Sequence, residues 1–342
     1  MKLNKLLIFC LFLVLPFGQF ERLGQTPLYL HDLIILFLII LNFKLIRFSR
    51  PLLYFLGCAL FSMGLARFQL PLNDWLFSSL YLIRFTAIAC LLPIFKALKP
   101  DLKPYLKYLA LALAILGLAQ YLFLPDTRFL ASLNWDDHYF RLISTVFDPS
   151  FLGLILVLGL ILFNLQLFPS LILTTALFLT YSRSSYLSLG AVIVAYSLAT
   201  KRYIFLLFLL LFSFLFFLPR PGGEGVKLER IFSINQRFDN YQEGIELFKK
   251  SPLIGLGFNT LRYYRQDYES RAAAGLDSSL LFVLTTTGLV GFGAFCYWLY
   301  SLWRKASITL KLSLIAILVH SLFQNSFFYP LILIWLWSVI YL

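Results

Sequence analysis

The sequence predicts an all-α integral membrane protein of about twelve transmembrane helices with one large extracytoplasmic loop. Three observations predict it. Hydrophobic residues make up 60% of the chain and charged ones only 13%, about half the roughly 25% charged share of a soluble domain. Apolar runs recur along the whole length, each approaching the roughly 20 residues that span a bilayer. Cationic residues fall into alternate connections between those runs. Length alone would allow about two soluble domains, but the density of apolar runs excludes them. The chain therefore reads as a single polytopic domain over residues 1–342.

The first run, Leu3–Phe17, follows Lys2 and Lys5 and has the look of a signal peptide. No small-x-small cleavage site follows at Phe17-Gly18-Gln19-Phe20, so it reads as an uncleaved first span. Next come Leu28–Ile46, Leu52–Leu65, Trp75–Phe95, Leu106–Leu124 and Leu142–Phe163. Phe168–Tyr181, Ser185–Ala199 and Tyr203–Leu218 precede the hydrophilic loop, and Ser278–Leu299, Ile308–Phe323 and Phe327–Leu342 follow it. Leu52–Leu65 and Phe168–Tyr181 are short for a bilayer and fit tilted or re-entrant pieces. Cys10, Cys58, Cys90 and Cys296 lie far apart inside apolar runs, with neither metal nor disulfide spacing.

Orientation follows from charge. With the N-terminus in the cytoplasm, fourteen basic residues, from Lys2 and Lys5 to Arg304, Lys305 and Lys311, fall inside with Asp101 as the only acid. That side carries the whole net +13, and the remainder of the chain is neutral. The basic balance is thus a positive-inside signal and implies no nucleic-acid partner. Lysine dominates inside, whereas the short outer segments contain only arginine: Arg22, Arg67, Arg128, Arg141 and Arg183. Arginine is the residue for bidentate pairing with phosphate or carboxylate, so an arginine-studded outer face points to an anionic ligand. Snorkelling to the interface, or pairing with nearby aspartates, is the alternative.

The large outer loop covers residues 219–277. Pro219-Arg220-Pro221-Gly222-Gly223 breaks the preceding run. In Asn235–Lys250, Phe238, Tyr241, Ile245 and Phe248 recur at helical spacing, which predicts an amphipathic helix on the bundle or the lipid interface. Gly255 and Gly257 permit a tight turn and close backbone approach. Arg262, Tyr263, Tyr264, Arg265, Tyr268 and Arg271 interleave cations with aromatics, which suits sugars and phosphates, or equally an interfacial belt. Asp277 opens the next span, either as its N-cap or as a functional carboxylate. Thr285, Thr286 and Thr287 lie deeper and read as bundle hydrogen bonders.

Four pieces in this order resemble the O-antigen ligase and O-antigen polymerase family of bacterial envelope glycan assembly. They are Arg141 with Phe147-Asp148-Pro149-Ser150; Tyr181-Ser182-Arg183-Ser184-Ser185; Arg237 with the helix running to Ser251-Pro252-Leu253-Ile254-Gly255-Leu256-Gly257; and Asp277-Ser278-Ser279-Leu280-Leu281, leading to Thr287-Gly288-Leu289-Val290-Gly291. The specific motifs span residues 141–293. The resemblance implies a GT-C-like, metal-independent, inverting glycosyltransferase of the bacterial inner membrane, both termini cytoplasmic and the active face extracytoplasmic. It implies a polyprenyl-diphosphate-linked glycan as donor, a lipid or glycan hydroxyl as acceptor, membrane lipids as surroundings and no cofactor. A ligase acting on lipopolysaccharide core and a polymerase extending a repeat unit both fit. A lipid-linked-glycan flippase or transporter is the reading from another class. No internal repeat supports it, and the ionisable groups gather at the rim.

On this resemblance Arg183 and Arg237 are the residues expected to grip the diphosphate, with Arg141 a third, since guanidiniums can supply the electrostatic compensation a metal would give. The family's usual loop histidine aligns with Asp277. That aspartate either takes the acceptor proton, helped by burial, or only orients the acceptor. His31, His138 and His320 lie near outer ends, and His138 is the best substitute base. Arg262, Arg265, Gly255, Gly257 and His138 complete the expected substrate-binding set, with no metal ligands.

Overall fold

The computed structural model describes residues 2–24, 28–164, 166–201, 213, 217, 219, 221–268, 273 and 275–342. Among them the chain is helical, with only two isolated bridges, Arg22 to Tyr29 and Asp126 to Tyr139. The N-terminal half forms α1 Lys2–Val14, α2 Leu30–Asn42, α3 Arg50–Ala66, α4 Leu72–Ala89, α5 Leu91–Leu98 and α6 Lys103–Phe123. Then come α7 Pro149–Phe163, α8 Leu167–Leu179, α9 Arg183–Thr200, α10 Phe232–Lys250 and α11 Leu261–Arg265. The chain closes with α12 Ser279–Arg304, α13 Ile308–His320 and α14 Pro330–Tyr341.

Among the described residues four stretches are long and apolar enough to cross a membrane: Lys2–Glu21, Leu72–Leu98, Lys103–Phe123 and Ser279–Arg304. The helices α3, α7, α8, α13 and α14 are apolar but shorter. The expected span Tyr203–Leu218 lies almost wholly outside the described residues. The fold is thus that of a helical protein compatible with an integral membrane location.

Burial explains the arrangement. Helix α7 is apolar all round and twelve of its fifteen residues are buried, which makes it a central strut. A Cβ at Gly153 would come within 2.4 Å of Ser185 Oγ, so the glycine lets α9 close on α7. Helix α14 is buried along most of its length, with Trp335 and Trp337 fully enclosed. On the outer helices Leu36, Phe37, Ile40, Phe61 and Leu122 are exposed, as lipid-facing side chains would be.

The expected span Leu142–Phe163 starts late. Asp148 is the N-cap of α7, its carboxylate accepting from Ser150 N at 2.6 Å and Phe151 N at 2.9 Å, with Pro149 in the first turn. Ahead of it the backbone is irregular, with Ser144 and Phe147 in the left-handed region. Helix α10 also departs from expectation. It begins at Phe232, so Arg237 lies beyond its first turn, and Phe238 and Ile245 are exposed. Its inward side runs through Arg237, Asn240, Tyr241, Gly244 and Leu247, at spacings of three and four residues. The sequence left the helix on either the bundle or the lipid interface, and the exposure of Phe238 and Ile245 favours the second.

A second polar group ties the N-terminal elements together. Arg84 grips Asp32 with two bonds, 3.1 Å from Nε and 2.6 Å from Nη2. The neighbouring His31 is buried with its Nδ1 3.0 Å from the Glu21 carboxylate. Arg84 is therefore structural. Arg84→Met should lower the unfolding free energy by about 2 kcal/mol, the worth of a charged hydrogen-bonded pair. Thermal unfolding in detergent measures it, and an unchanged midpoint would make the pair dispensable.

Candidate active site

Helices α7 and α9 start, and α6 and α8 end, at one end of the bundle. The Lys107 end of α6 lies opposite, its ammonium 4.7 Å from the Phe163 ring where α7 finishes. At the first end Arg141 is buried and donates to Thr180 O at 3.0 Å and Tyr181 O at 3.4 Å. It thereby caps the C-terminal carbonyls of α8 with a cation. Arg183 is the first residue of α9 and reaches into the loop, its Nη1 donating to Leu228 O at 3.2 Å and Arg230 O at 3.0 Å. The Ser182 side chain caps α9 by accepting from Ser185 N. Beneath it buried His320 lies 2.6 Å from Ser326 Oγ and 3.2 Å from Ser184 Oγ, fixing the turn that carries Arg183.

From the loop side α10 brings Arg237 to the group, its guanidinium 5.8 Å from the Phe323 ring centroid. Arg237 is close enough for its field to act on Asp277 and on Arg230. Burial holds the Asp277 carboxyl above the ordinary carboxylate range, while Arg237 and Arg265 pull it back down and Asp136 pushes it up. Asp277 does not cap α12: that cap is Ser278, whose side chain accepts from Leu281 N at 3.3 Å. Its own backbone N–H donates to Asn240 on α10, 2.8 Å away. The structural alternative for this carboxylate is thus occupied by its neighbour.

His138 is also in the group. It is buried, and its Nε2 has no hydrogen-bond partner among the described residues. Burial, helped by the Arg141 and Arg230 guanidiniums, pushes its pKa down to about 3, so the imidazole is neutral at physiological pH. Arg230, which sequence analysis passed over, sits between Arg141 and Arg183 and bonds Tyr181 O, Gly225 O and Lys227 O. No local pattern marks it, since Glu229 beside it reads as an ordinary solvated ion partner.

The remaining expected residues lie elsewhere. Arg265 pairs with Glu243 and donates to Ala273 O at 2.9 Å and Gly275 O at 2.7 Å, holding the loop together next to Asp277. Arg262 stacks over Phe77 of α4, 5.2 Å from the ring centroid, apart from the arginine group. Gly255 and Gly257 are pressed against protein: a Cβ on Gly255 would come 2.3 Å from the Thr286 carbonyl carbon, and one on Gly257 2.5 Å from Ala66. Gly255 thus meets the backbone of α12 and Gly257 the last residue of α3. Arg271 lies outside the described residues. An open depression of about 630 Å³ at the α3–α4 turn is lined by Arg67–Pro71 and shares no residue with the arginine group. Among the described residues no three or more His, Cys, Asp or Glu side chains are grouped to hold a metal ion.

These features define a helical membrane protein with a cationic site at one end of its bundle, flanked by Asp277 and a neutral histidine. Residues 168–296 match the family model described as O-antigen ligase, which supports assigning the chain to the O-antigen ligase family. The matched stretch contains Arg183, Arg237 and Asp277, and begins after His138 and Arg141. No curated protein matches the chain significantly.

Proposed function

We propose that the chain is an extracytoplasmic membrane glycosyltransferase of about twelve spans, moving a glycan from polyprenyl diphosphate to an acceptor hydroxyl. The observation that supports this reading is that the turn between α8 and α9 carries Arg183 next to Arg141, which bonds Thr180 O and Tyr181 O, with Arg237 within reach of the fields of both Arg183 and Asp277. The acceptor oxygen attacks the anomeric carbon from the face opposite the diphosphate. The new carbon–oxygen bond forms as the sugar–phosphate bond breaks, inverting the carbon, and the electron pair leaves on the diphosphate. The acceptor proton passes to the Asp277 carboxylate. The guanidiniums stabilise the charge growing on the leaving group without reorganising at the moment of reaction. The inner bacterial membrane, cytoplasmic termini and a lipid-A-core or repeat-unit acceptor belong to the same proposal.

The test is reconstitution in liposomes with a lipid-linked glycan and either acceptor. Glycan-extended acceptor supports a ligase, and repeat-unit oligomers support a polymerase. Intact donor moved across the bilayer, with no bond cleaved, would mean a flippase and end the enzyme reading.

Acid dependence gives a second test. The base form of Asp277 is required, and burial raises its pKa above that of a free carboxyl. The rate should therefore fall on acidification at a higher pH than about 4, the ordinary carboxylate value. Asp277→Asn should lose about 10²-fold or more in rate at every pH, while donor affinity changes little. His138, protonating only near pH 3, contributes no limb above that. A pH profile untouched by Asp277→Asn would remove the carboxylate from proton transfer.

A further inference from the structure

We propose that Arg230 is a further catalytic residue, a fourth guanidinium that touches the leaving diphosphate and is delivered by the loop between Pro219 and Phe232. The inference rests on the diphosphate reading given above and adds a residue to it.

The geometry starts at one carbonyl. Tyr181 is fully buried between α8 and α9 with a left-handed backbone. Its carbonyl oxygen lies 3.4 Å from Arg141 Nη2 and also 3.4 Å from Arg230 Nη2. Those two nitrogens are therefore at most twice that distance apart. Arg183 closes the group from the other side by donating to the Arg230 carbonyl at 3.0 Å. The loop is pressed in as well: Gly225, whose carbonyl accepts from Arg230 Nη1 at 2.8 Å, has room for no side chain, because a Cβ would lie 2.7 Å from Arg141 Cδ.

A carbonyl carries only a partial charge, and here two whole cations share it. Arginines elsewhere in the fold pair with carboxylates, Arg84 with Asp32, Arg128 with Asp126 and Arg265 with Glu243, whereas Arg141 in this cluster bonds carbonyl oxygens. Arg230 also holds a loop, yet among the described residues its guanidinium bonds only carbonyl oxygens. Burial and the three neighbouring guanidiniums of Arg141, Arg183 and Arg237 lower its pKa to about 9, so it stays charged at neutral pH while repelled by its surroundings. A cation needed only to pin the loop would not be set among like charges. An anion of high charge density placed there reverses the sign of every one of those interactions. Four guanidiniums offer two forks to each phosphoryl group of a diphosphate, and a monophosphate cannot engage them all.

The purified full chain in detergent would be titrated calorimetrically with farnesyl diphosphate and with farnesyl monophosphate. The wild type should prefer the diphosphate. Arg230→Ala should weaken diphosphate binding on the order of thirty-fold and monophosphate binding only a few-fold. Arg230→Lys, which keeps the charge and loses the fork, should fall between wild type and alanine. Unchanged diphosphate affinity in Arg230→Ala would overturn the assignment. So would equal losses of both ligands in both variants with a lowered unfolding midpoint, which would make Arg230 a loop pin only. If the wild type bound neither lipid phosphate, the diphosphate reading itself would fail, and that shows before any variant is made.

Discussion

Arg183→Ala should reduce glycan transfer by about 10²–10³-fold, the loss seen when a preorganised charge-stabilising donor is removed, while leaving the protein folded. The first half follows from position. Arg183 heads α9 at the centre of the cationic group, and its guanidinium reaches across to Leu228 and Arg230 in the loop. The second half follows from what holds the α9 turn in place. Ser182 caps the helix, and His320 with Ser326 fixes Ser184 from below; neither uses the arginine side chain. Arg183→Lys should recover part of the rate, because an ammonium keeps the charge but cannot bind two oxygens in one plane. Turnover of a lipid-linked glycan measures both, beside an unfolding midpoint for each variant. A folded Arg183→Ala protein that transfers at the wild-type rate would refute the leaving-group role, and Arg237→Ala would then be expected to fail with it.

What the sequence made legible was whatever a periodic or compositional rule covers. Apolar runs marked the helices, but the apolar residues from Leu142 onward masked the true start of α7 at the Asp148 cap. Arg183 and Arg237 were singled out because the segments that carry them resemble the family's motifs. The side α10 turns inward was left open by the sequence, because lipid and protein compete for apolar faces; Phe238 and Ile245 prove exposed, and Gly244 and Leu247 buried. Arg230 was invisible for a different reason. What singles it out is a carbonyl it shares with Arg141, on Tyr181 nearly fifty positions upstream (|i−j| 49), and no window on the sequence spans that. Gly255 showed that a backbone must come close there but not which backbone. The answer depends on a break in α12 created by another glycine.

That break should make Gly288→Val strongly destabilising, costing on the order of 4 kcal/mol or more. Gly288 has φ 67° and ψ −172°, a region open essentially only to glycine. A Cβ there would lie 2.3 Å from both the carbonyl carbon and oxygen of Leu253, which are backbone atoms that cannot swing aside. The break also frees peptide groups that apolar surroundings would leave unsatisfied. Leu289 N and Val290 N turn to Pro252 O and Leu253 O, at 2.9 Å and 3.2 Å. Thr285 O and Thr286 O accept instead from Leu256 N and Gly257 N, at 3.1 Å and 3.0 Å, and Ser62 Oγ adds a bond to Thr286 O at 2.6 Å. Filling the site with a side chain expels the Pro252–Gly257 strap and costs those bonds together. Because the strap follows directly on α10, Arg237 loses its support, so transfer should fall in step with the folded fraction, unlike in Arg183→Ala. Gly293→Ala is the internal control. That glycine lies in the same helix with nothing within 4 Å of its missing Cβ, so the exchange should be neutral or stabilising by about 0.5–1 kcal/mol. Equal unfolding midpoints for Gly288→Val and Gly293→Ala would show that the strap does not hold α12 in its broken form.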